Sequence, residues 1–429
     1  MFAYRLLSIL ALLTYFPYAL LRSLTGRHRL GDLAGRLGGG PYPDLQGGIW
    51  IHSVSVGEVG VARSLMGEVA RIDPNRRLGL SVTTAAGRRL AQESAAAGAA
   101  VFAFPFDLAR PVEKALSRVR PGLVLLTETE IWPLFVDRAA ARRIPVALVN
   151  GRVSARSYAR YRLAGRFFSH VLERISLFAM QTAEDAERIR SLGAPRDRVH
   201  VTGNIKYDRA AAPAFPDSAR LEAAAAGRPV VVAASTGEGE EEIVLQAWRT
   251  VTPRPLLVIA PRRPERFDDV ARLVESRGLR LLRRSSSIHN SQFSTLNSPD
   301  IYLLDSIGEL ASVYRGARLA FVGGSLVASG GHNPIEAWAE GVPVVTGPHM
   351  ENFREITAAG SAGGFLRRAR DARELAAEIQ SAIVDPAAAG VRGEDARRFV
   401  AEARGAAQAT ARLVLALAAT ADREKMAAP

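Results

Sequence analysis

The 429-residue chain contains no cysteine. Disulfides, thiolate metal sites and a cysteine nucleophile are therefore excluded, and the composition fits a reducing compartment. No apolar run reaches the roughly 20 residues that span a bilayer. There is no lysine-rich tail and no basic stripe interleaved with aromatics, so nucleic acid is the weaker class of partner. No fixed-period repeat is visible beyond the likeness of two halves. A hydrophobic content of 48% excludes a disordered chain. The length favours two domains over one core.

Positive charge is in excess. Fifty-six Lys and Arg against 43 Asp and Glu give a formal charge of +13. That balance calls for an acidic partner: nucleic acid, anionic lipid or a multiply charged substrate. The apolar run Leu6–Leu21 lies between Arg5 and Arg22 and is interrupted by Pro17. Tyr15, Phe16 and Tyr18 suit a headgroup interface, and Arg22, Arg27, His28, Arg29 and Arg36 follow. No convincing small-x-small cleavage site precedes the basic segment. The run is expected to anchor in a membrane or just cross it, with its basic side and all that follows in the cytoplasm. The other reading is a buried helix of the first domain.

The remaining chain alternates short apolar runs with Ala- and Arg-rich stretches of helical spacing, which implies α/β domains with parallel, doubly wound sheets. Strands are expected at Ile49–Val54, Leu80–Thr84, Val101–Pro105, Leu123–Thr127, Val146–Asn150, Leu177–Gln181 and Val199–Gly203. A second series follows at Val230–Ala234, Leu256–Pro261, Leu279–Leu282, Ile301–Asp305, Leu319–Val322 and Val342–Thr346. The implied division is 1–40, a membrane-associated segment; 41–212, a first domain; 213–227, a linker; 228–400, a second domain; and 401–429, a C-terminal helix and tail. Two such domains imply a cleft between them.

The stretch Gly323–Pro348 has the most local order. Leu319–Val322 feeds a loop with paired glycines at Gly323–Gly324 and Gly330–Gly331. Asn333 reads as an N-cap and Pro334 as the first helical residue. Ile335, Trp338 and Ala339 give that helix one buried face, and Gly341 and Pro343 stop it. Strand, glycine loop and capped helix would bring free N–H groups and a positive dipole end together, a seat for a phosphate. Glu336 would suit a pair of ribose hydroxyls. His332, Asn333 and Glu336 on one turn favour a ligand site over an ordinary strand-to-helix turn.

In doubly wound sheets chemistry gathers in the loops after the strands' carboxyl ends. Here those loops carry Ser53–Glu58, Thr127–Pro133, Asn150–Tyr158 and Gly203–Asp208. One Glu at a helix start is usually a dipole partner. Four successive strand ends with carboxylate, arginine or lysine suggest instead a base, its partner and a cation. In the second half, Glu238–Glu242 reads most simply as the acidic first turn of a helix, and Arg262 as a clamp for phosphate or carboxylate.

These motifs together resemble the Kdo transferases, which attach 3-deoxy-D-manno-octulosonic acid (Kdo) to the lipid A precursor of lipopolysaccharide. The resemblance rests on His52–Glu58, Thr127–Pro133, Asn150–Ser154, Gly203–Asp208, Ala260–Arg262 and Gly330–Glu336, in that order, over nearly the whole chain. It implies a two-domain GT-B glycosyltransferase that uses CMP-Kdo and inverts the anomeric carbon. The first domain would bind the acceptor, lipid IVA, and the second the donor. Glu58 would be the general base, and Glu128 and Lys206 would stabilise the transition state. CMP would contact Pro261, Arg262, Gly308, Glu309, Leu310, Asn333, Pro334, Ile335 and Glu336. The implied location is the cytoplasmic face of the inner membrane. Gly237 and Arg263 stand where the family often has His.

The chemistry fits from below. A sugar alcohol is a poor acid, so Glu58 would take its proton only as the new bond forms. A helix N-terminus at Asn333 and Arg262 would hold the leaving phosphate without metal or other cofactor. No Asp-x-Asp pair is present to bind one, although Glu128-x-Glu130 is a possible substitute. Donor, acceptor and membrane are all anionic, which answers the basic balance. A soluble nucleotide-sugar epimerase of the same fold would have no reason to carry an anchor. A non-enzymatic polyanion binder should show one continuous basic face, not carboxylates at strand ends.

Overall fold

The computed structural model describes residues 4, 35–94, 99–208, 214–286 and 298–427. The expected anchor, Leu6–Leu21, lies outside them, as does most of the serine-rich stretch before Asp300. Among the described residues no helix is long and apolar enough to cross a membrane. The chain divides into two compact units, Met1–Asp208 with Ala403–Pro429, and Arg209–Glu402.

The first unit holds seven parallel strands: β1 (Ile49–Ser53), β2 (Leu78–Val82), β3 (Ala100–Phe102), β4 (Leu123–Thr127), β5 (Val146–Gly151), β6 (Leu177–Met180) and β7 (Val199–Val201). Their order is β3-β2-β1-β4-β5-β6-β7. Both faces are covered, so the central strands are apolar throughout rather than alternating. Ile49 and Ile51 face Val59, Ala62 and Leu65 of the helix Val56–Ile72. Trp50 points the other way, among Phe102, Phe104 and Phe135. Its indole N–H donates to Ser81 Oγ at 2.7 Å.

The C-terminal helix Ala406–Ala427 returns to this unit. Ala407, Ala411, Val414 and Ala418 form its apolar stripe and join the Ile49–Ile51 face. Asp208 accepts from the backbone N–H of Gly405 and Ala407 at its start. Arg76 meets Asp422 near its end at 3.0 Å. A break at 403–405 separates it from the preceding helix Pro386–Glu402.

The second unit has seven more parallel strands: β8 (Val230–Thr236), β9 (Leu256–Pro261), β10 (Leu281–Arg283), β11 (Ile301–Leu303), β12 (Leu319–Val322), β13 (Val344–Thr346) and β14 (Leu366–Arg368). They run β10-β11-β9-β8-β12-β13-β14. Val231 and Ala233 pack on Val244, Leu245 and Trp248 of the helix Glu240–Arg249. The sequence pattern misses β14. Only Leu366 of its three residues is buried, and Arg367 and Arg368 are exposed, so an edge strand here has no apolar run.

In both sheets the strand order reverses beside the first strand, between β1 and β4 and between β8 and β12. Loops diverge at such a point and leave room for a ligand beyond the carboxyl ends.

Candidate active site

At the first reversal β1 ends on Ser53, and Ser55 caps the next helix by accepting the Glu58 N–H at 3.3 Å. The Glu58 carboxylate reaches back. Its Oε1 accepts from Ser55 Oγ at 2.9 Å. Its Oε2 accepts from the Val54 N–H at 2.9 Å and from Thr127 Oγ, the last residue of β4, at 2.8 Å. Glu58 thus bridges β1 and β4 and is only 7% exposed. Burial pushes its carboxyl above the ordinary value, the Val54 N–H opposes this, and the charge of Glu128 adds to it. Oε1 has one donor and keeps a lone pair for a substrate proton.

Glu128 follows β4 in a left-handed conformation, φ 53°. Its Oε1 stands 2.6 Å from Lys206 Nζ, and both side chains are half-buried. Lys206 sits on the turn Ile205–Tyr207 beyond β7. Asn204 Oδ1 accepts the Lys206 N–H at 3.0 Å. Buried Asn150 Oδ1 accepts the Ile205 N–H at 2.9 Å. Two amide side chains therefore place the ammonium beside Glu128. The structure brings Glu58, Glu128 and Lys206 to one edge of one sheet. His52, at the head of the same motif, belongs to the core: it stacks on Phe104 at 3.6 Å, and burial pulls it down to about 3.

Glu130 completes the group, and sequence reasoning had it only as half of a cation pair. Burial pushes its carboxyl up to about 7, helped by the charges of Glu58 and Glu128. Among the described residues no cluster of three or more His, Cys, Asp or Glu is arranged to hold a metal ion. The signal in the sequence was the repeated carboxylate in Thr127–Glu130; what it lacked was the burial.

Glu130 also has a consequence for stability. The folded chain keeps this proton to about pH 7, whereas an unfolded chain releases it near 4.5. Between those values the unfolded state binds fewer protons, so the residue's contribution to stability falls as pH rises across that window and is level above it. Glu130→Gln should therefore stabilise the protein by about 1–3 kcal/mol at pH 8 and leave it unchanged at pH 4. Thermal unfolding at both pH values checks this, and an equal shift at both would contradict it.

At the second reversal the structure corrects the expected phosphate seat. The helix Glu240–Arg249 begins with a carboxylate that is completely buried. Glu240 accepts from four backbone N–H groups: Gly237 at 2.8 Å, Gly324 at 2.6 Å, Ser325 at 2.9 Å and Leu326 at 2.8 Å. The Gly323–Leu326 loop is an anion nest, as its glycines imply, but the protein's own carboxylate fills it. A Cβ on Gly323 would lie 2.7 Å from Glu240 Oε2. Next to it Glu241, also buried, accepts from Thr236 Oγ at 2.7 Å and pairs with the two terminal Arg266 nitrogens at 2.6 and 3.0 Å.

The proposed nucleotide contacts lie along the same carboxyl edge, after β9, β11 and β12. Arg262 is exposed and its N–H donates to Thr236 O at 3.0 Å. His332 lies near it, and its Nε2 is 2.8 Å from where a Cβ on Gly324 would stand. Burial pulls His332 down to about 4, and the Arg262 charge adds to this, so the ring is neutral at pH 7. Asn333 Oδ1 accepts the Ile335 N–H at 3.1 Å and leads into the short helix Ile335–Ala339, which begins one residue later than the sequence implied, with Pro334 and not Asn333 at the N-cap. Ile335, Pro334 and Pro261 are buried, whereas Asn333 and Glu336 are half-exposed. Gly308, φ 87°, turns the loop after β11. Glu309 there is paired with Arg284 at 3.0 Å, and Leu310 opens the short helix Leu310–Val313.

Comparison with known proteins speaks to the family and the fold. Residues 27–209 match the family model described as 3-deoxy-D-manno-octulosonic-acid transferase (kdotransferase), and residues 294–405 match that of glycosyl transferases group 1. The 3-deoxy-D-manno-octulosonic acid transferase of Bordetella pertussis is 35% identical over 391 residues, 88% of this chain and 89% of the relative. That of Haemophilus influenzae is 37% identical over 338 residues, 77% of each chain. Among solved structures, HepE from Anabaena in complex with UDP superposes with a TM-score of 0.54 at 16% identity, over 87% of this chain and 100% of that one. A putative UDP-N-acetylglucosamine 2-epimerase from Listeria monocytogenes gives 0.56 at 13% identity, over 89% and 97%. At such identities these structures speak for the fold alone, which is GT-B. With two parallel seven-stranded sheets and relatives this similar over most of its length, the chain belongs to the 3-deoxy-D-manno-octulosonic acid transferase family.

Proposed function

We propose that this protein transfers Kdo from CMP-Kdo to lipid IVA in lipopolysaccharide synthesis, with inversion at the anomeric carbon. The observation that carries the reading is the buried Glu58 carboxylate at the β1–β4 reversal, beside the Glu128–Lys206 pair. A base with a raised pKa suits a weakly acidic sugar hydroxyl. As the acceptor oxygen bonds to the anomeric carbon, the bond from that carbon to the CMP phosphate breaks. The hydroxyl proton goes to Glu58 Oε1. Lys206, held by Glu128, offers a fixed positive charge to the charge that develops. Acceptor activation is thus assigned to the first unit and CMP binding to the second.

The proposal needs no metal and no other cofactor. Arg262 and the half-exposed Asn333 and Glu336 would meet the phosphate and ribose of CMP. Arg262→Ala should weaken CMP about 10- to 100-fold, the loss of one hydrogen bond to a charged group. Isothermal titration with CMP reads this directly, and an unchanged affinity places the phosphate elsewhere.

The acceptor side would work at an anionic membrane, on the cytoplasmic face of the inner membrane, with Leu6–Leu21 as anchor. The helix Ala155–Leu163 supports this: it buries none of its residues, leaves Leu163 89% exposed and bears exposed Arg156, Arg160 and Arg162. Basic and apolar side chains on one unburied helix suit an anionic interface.

The deciding experiment incubates the protein with CMP-Kdo and lipid IVA in anionic vesicles and follows the lipid by mass spectrometry. A lipid heavier by one or more Kdo units supports the reading. No product from folded protein with intact donor overturns it.

A further inference from the structure

Glu240 holds more of the second unit than its own turn. Its carboxylate joins the loop after β8, through Gly237, to the loop after β12, through Gly324, Ser325 and Leu326. Ser325 extends the tie to the loop after β13: its Oγ accepts the Gly347 N–H at 2.8 Å and its carbonyl accepts the His349 N–H at 3.0 Å. The Gly324 carbonyl accepts the Gly331 N–H at 2.8 Å, next to His332, whose ring lies against Gly324. One buried carboxylate thereby fixes three strand-end loops and the residue pair Gly324–Gly331 that sets the place of His332. Without an anion these four N–H groups, two of them on the buried residues Gly324 and Ser325, would be unpaired, so the loop conformation depends on this occupant.

We infer that Glu240 is a positioning residue for donor recognition, an internal stand-in for a bound anion that shapes the His332–Asn333 turn from the inside. It touches neither donor nor acceptor. The corollary is that the donor's phosphate is excluded from the Gly323–Leu326 nest and must be met by side chains outside it. This rests on the assignment of CMP to the second unit.

Glu240→Gln turns an amide NH2 toward at least one pair of the four donors. The donor KM and the CMP Kd should rise about tenfold or more, since buried donors lose their acceptor. At saturating donor, kcat should stay within about threefold, because the Glu58 group lies on the other unit; a general loss of structure would lower both together. Hydrogen exchange gives a readout that needs no ligand: amides 324–326, 347 and 349 should exchange faster, with those of β1 and β4 unchanged. If the wild type binds no CMP, the donor assignment fails and the exchange data alone decide this inference. If the Gln variant does not fold, Gly324→Ala replaces it. That change keeps the Glu240 side chain but sets a Cβ 2.8 Å from His332 Nε2, on a residue with a left-handed φ of 65°, so it disturbs the same turn from its own backbone. It should raise the donor KM comparably. Unchanged KM and unchanged exchange in a folded variant overturn the proposal.

Discussion

Glu58→Gln is expected to lower kcat for Kdo transfer by about 10³-fold, within the 10²–10⁴ range of a positioned general base. The substitution keeps the size of the side chain and removes its ability to take a proton. An amide oxygen can still accept from the Val54 N–H and Thr127 Oγ, while its NH2 faces Ser55 Oγ, which can turn to accept. The helix and the β1–β4 bridge should therefore survive, with a stability loss of about 1–2 kcal/mol at most. CMP affinity should stay near wild type, because the proposed CMP contacts Arg262 and Asn333 belong to the other unit. The pH profile gives a second check. Burial raises the Glu58 carboxyl, so the acid limb of kcat should lie above the ordinary 4.5. Steady-state rates at saturating donor, with CMP titration on the same sample, separate chemistry from binding. A variant that keeps its turnover removes Glu58 from the base role.

Much of this arrangement was legible because local and tertiary demands agree. The strands Ile49–Ser53 and Leu123–Thr127 are buried on both faces, so their apolar runs need no partner to be recognised. Ser55 and Glu58 sit at capping-box spacing; Ser55 Oγ accepts the Glu58 N–H as in such a box, while the Glu58 carboxylate turns to Ser55 Oγ and the Val54 N–H. What stayed hidden depends on neighbours far along the chain. Glu240–Glu242 has the signature of any acidic first turn, and only the pairing of β12 with β8 brings Glu240 to amides more than 80 residues away. The glycine pair at Gly323–Gly324 marks an anion nest correctly, but the sequence does not say whose anion. Glu130 reads in the sequence only as half of a cation pair with Glu128, whereas burial and two nearby carboxylates raise it to about 7. The return of Ala406–Ala427 to the first unit depends on small residues, Ala407, Ala411 and Ala418, which carry little pattern by themselves.

Lys206 is one of three lysines in a chain with 56 Lys and Arg. A cation that arginine supplies nearly everywhere else is here a compact ammonium, able to sit 2.6 Å from Glu128 in a half-buried place. Lys206→Met keeps the unbranched side chain up to its terminal atom and removes the charge. We expect kcat to fall about 10²- to 10³-fold, the size of losing one preorganised electrostatic contact to developing charge. CMP affinity should be unaffected, since the change lies on the turn Ile205–Tyr207 of the first unit. Lys206→Arg should recover only part of the rate, because a planar guanidinium cannot take the same point contact. The role of Glu128 can then be isolated. If Glu128 acts by holding Lys206, Glu128→Gln combined with Lys206→Met should be no slower than Lys206→Met alone. If the double variant is slower by the product of both single effects, Glu128 acts on the substrate itself. Should Lys206→Met turn over within threefold of wild type, the ion pair is only a tie between the β4 and β7 loops, and the stabilising charge must be sought elsewhere.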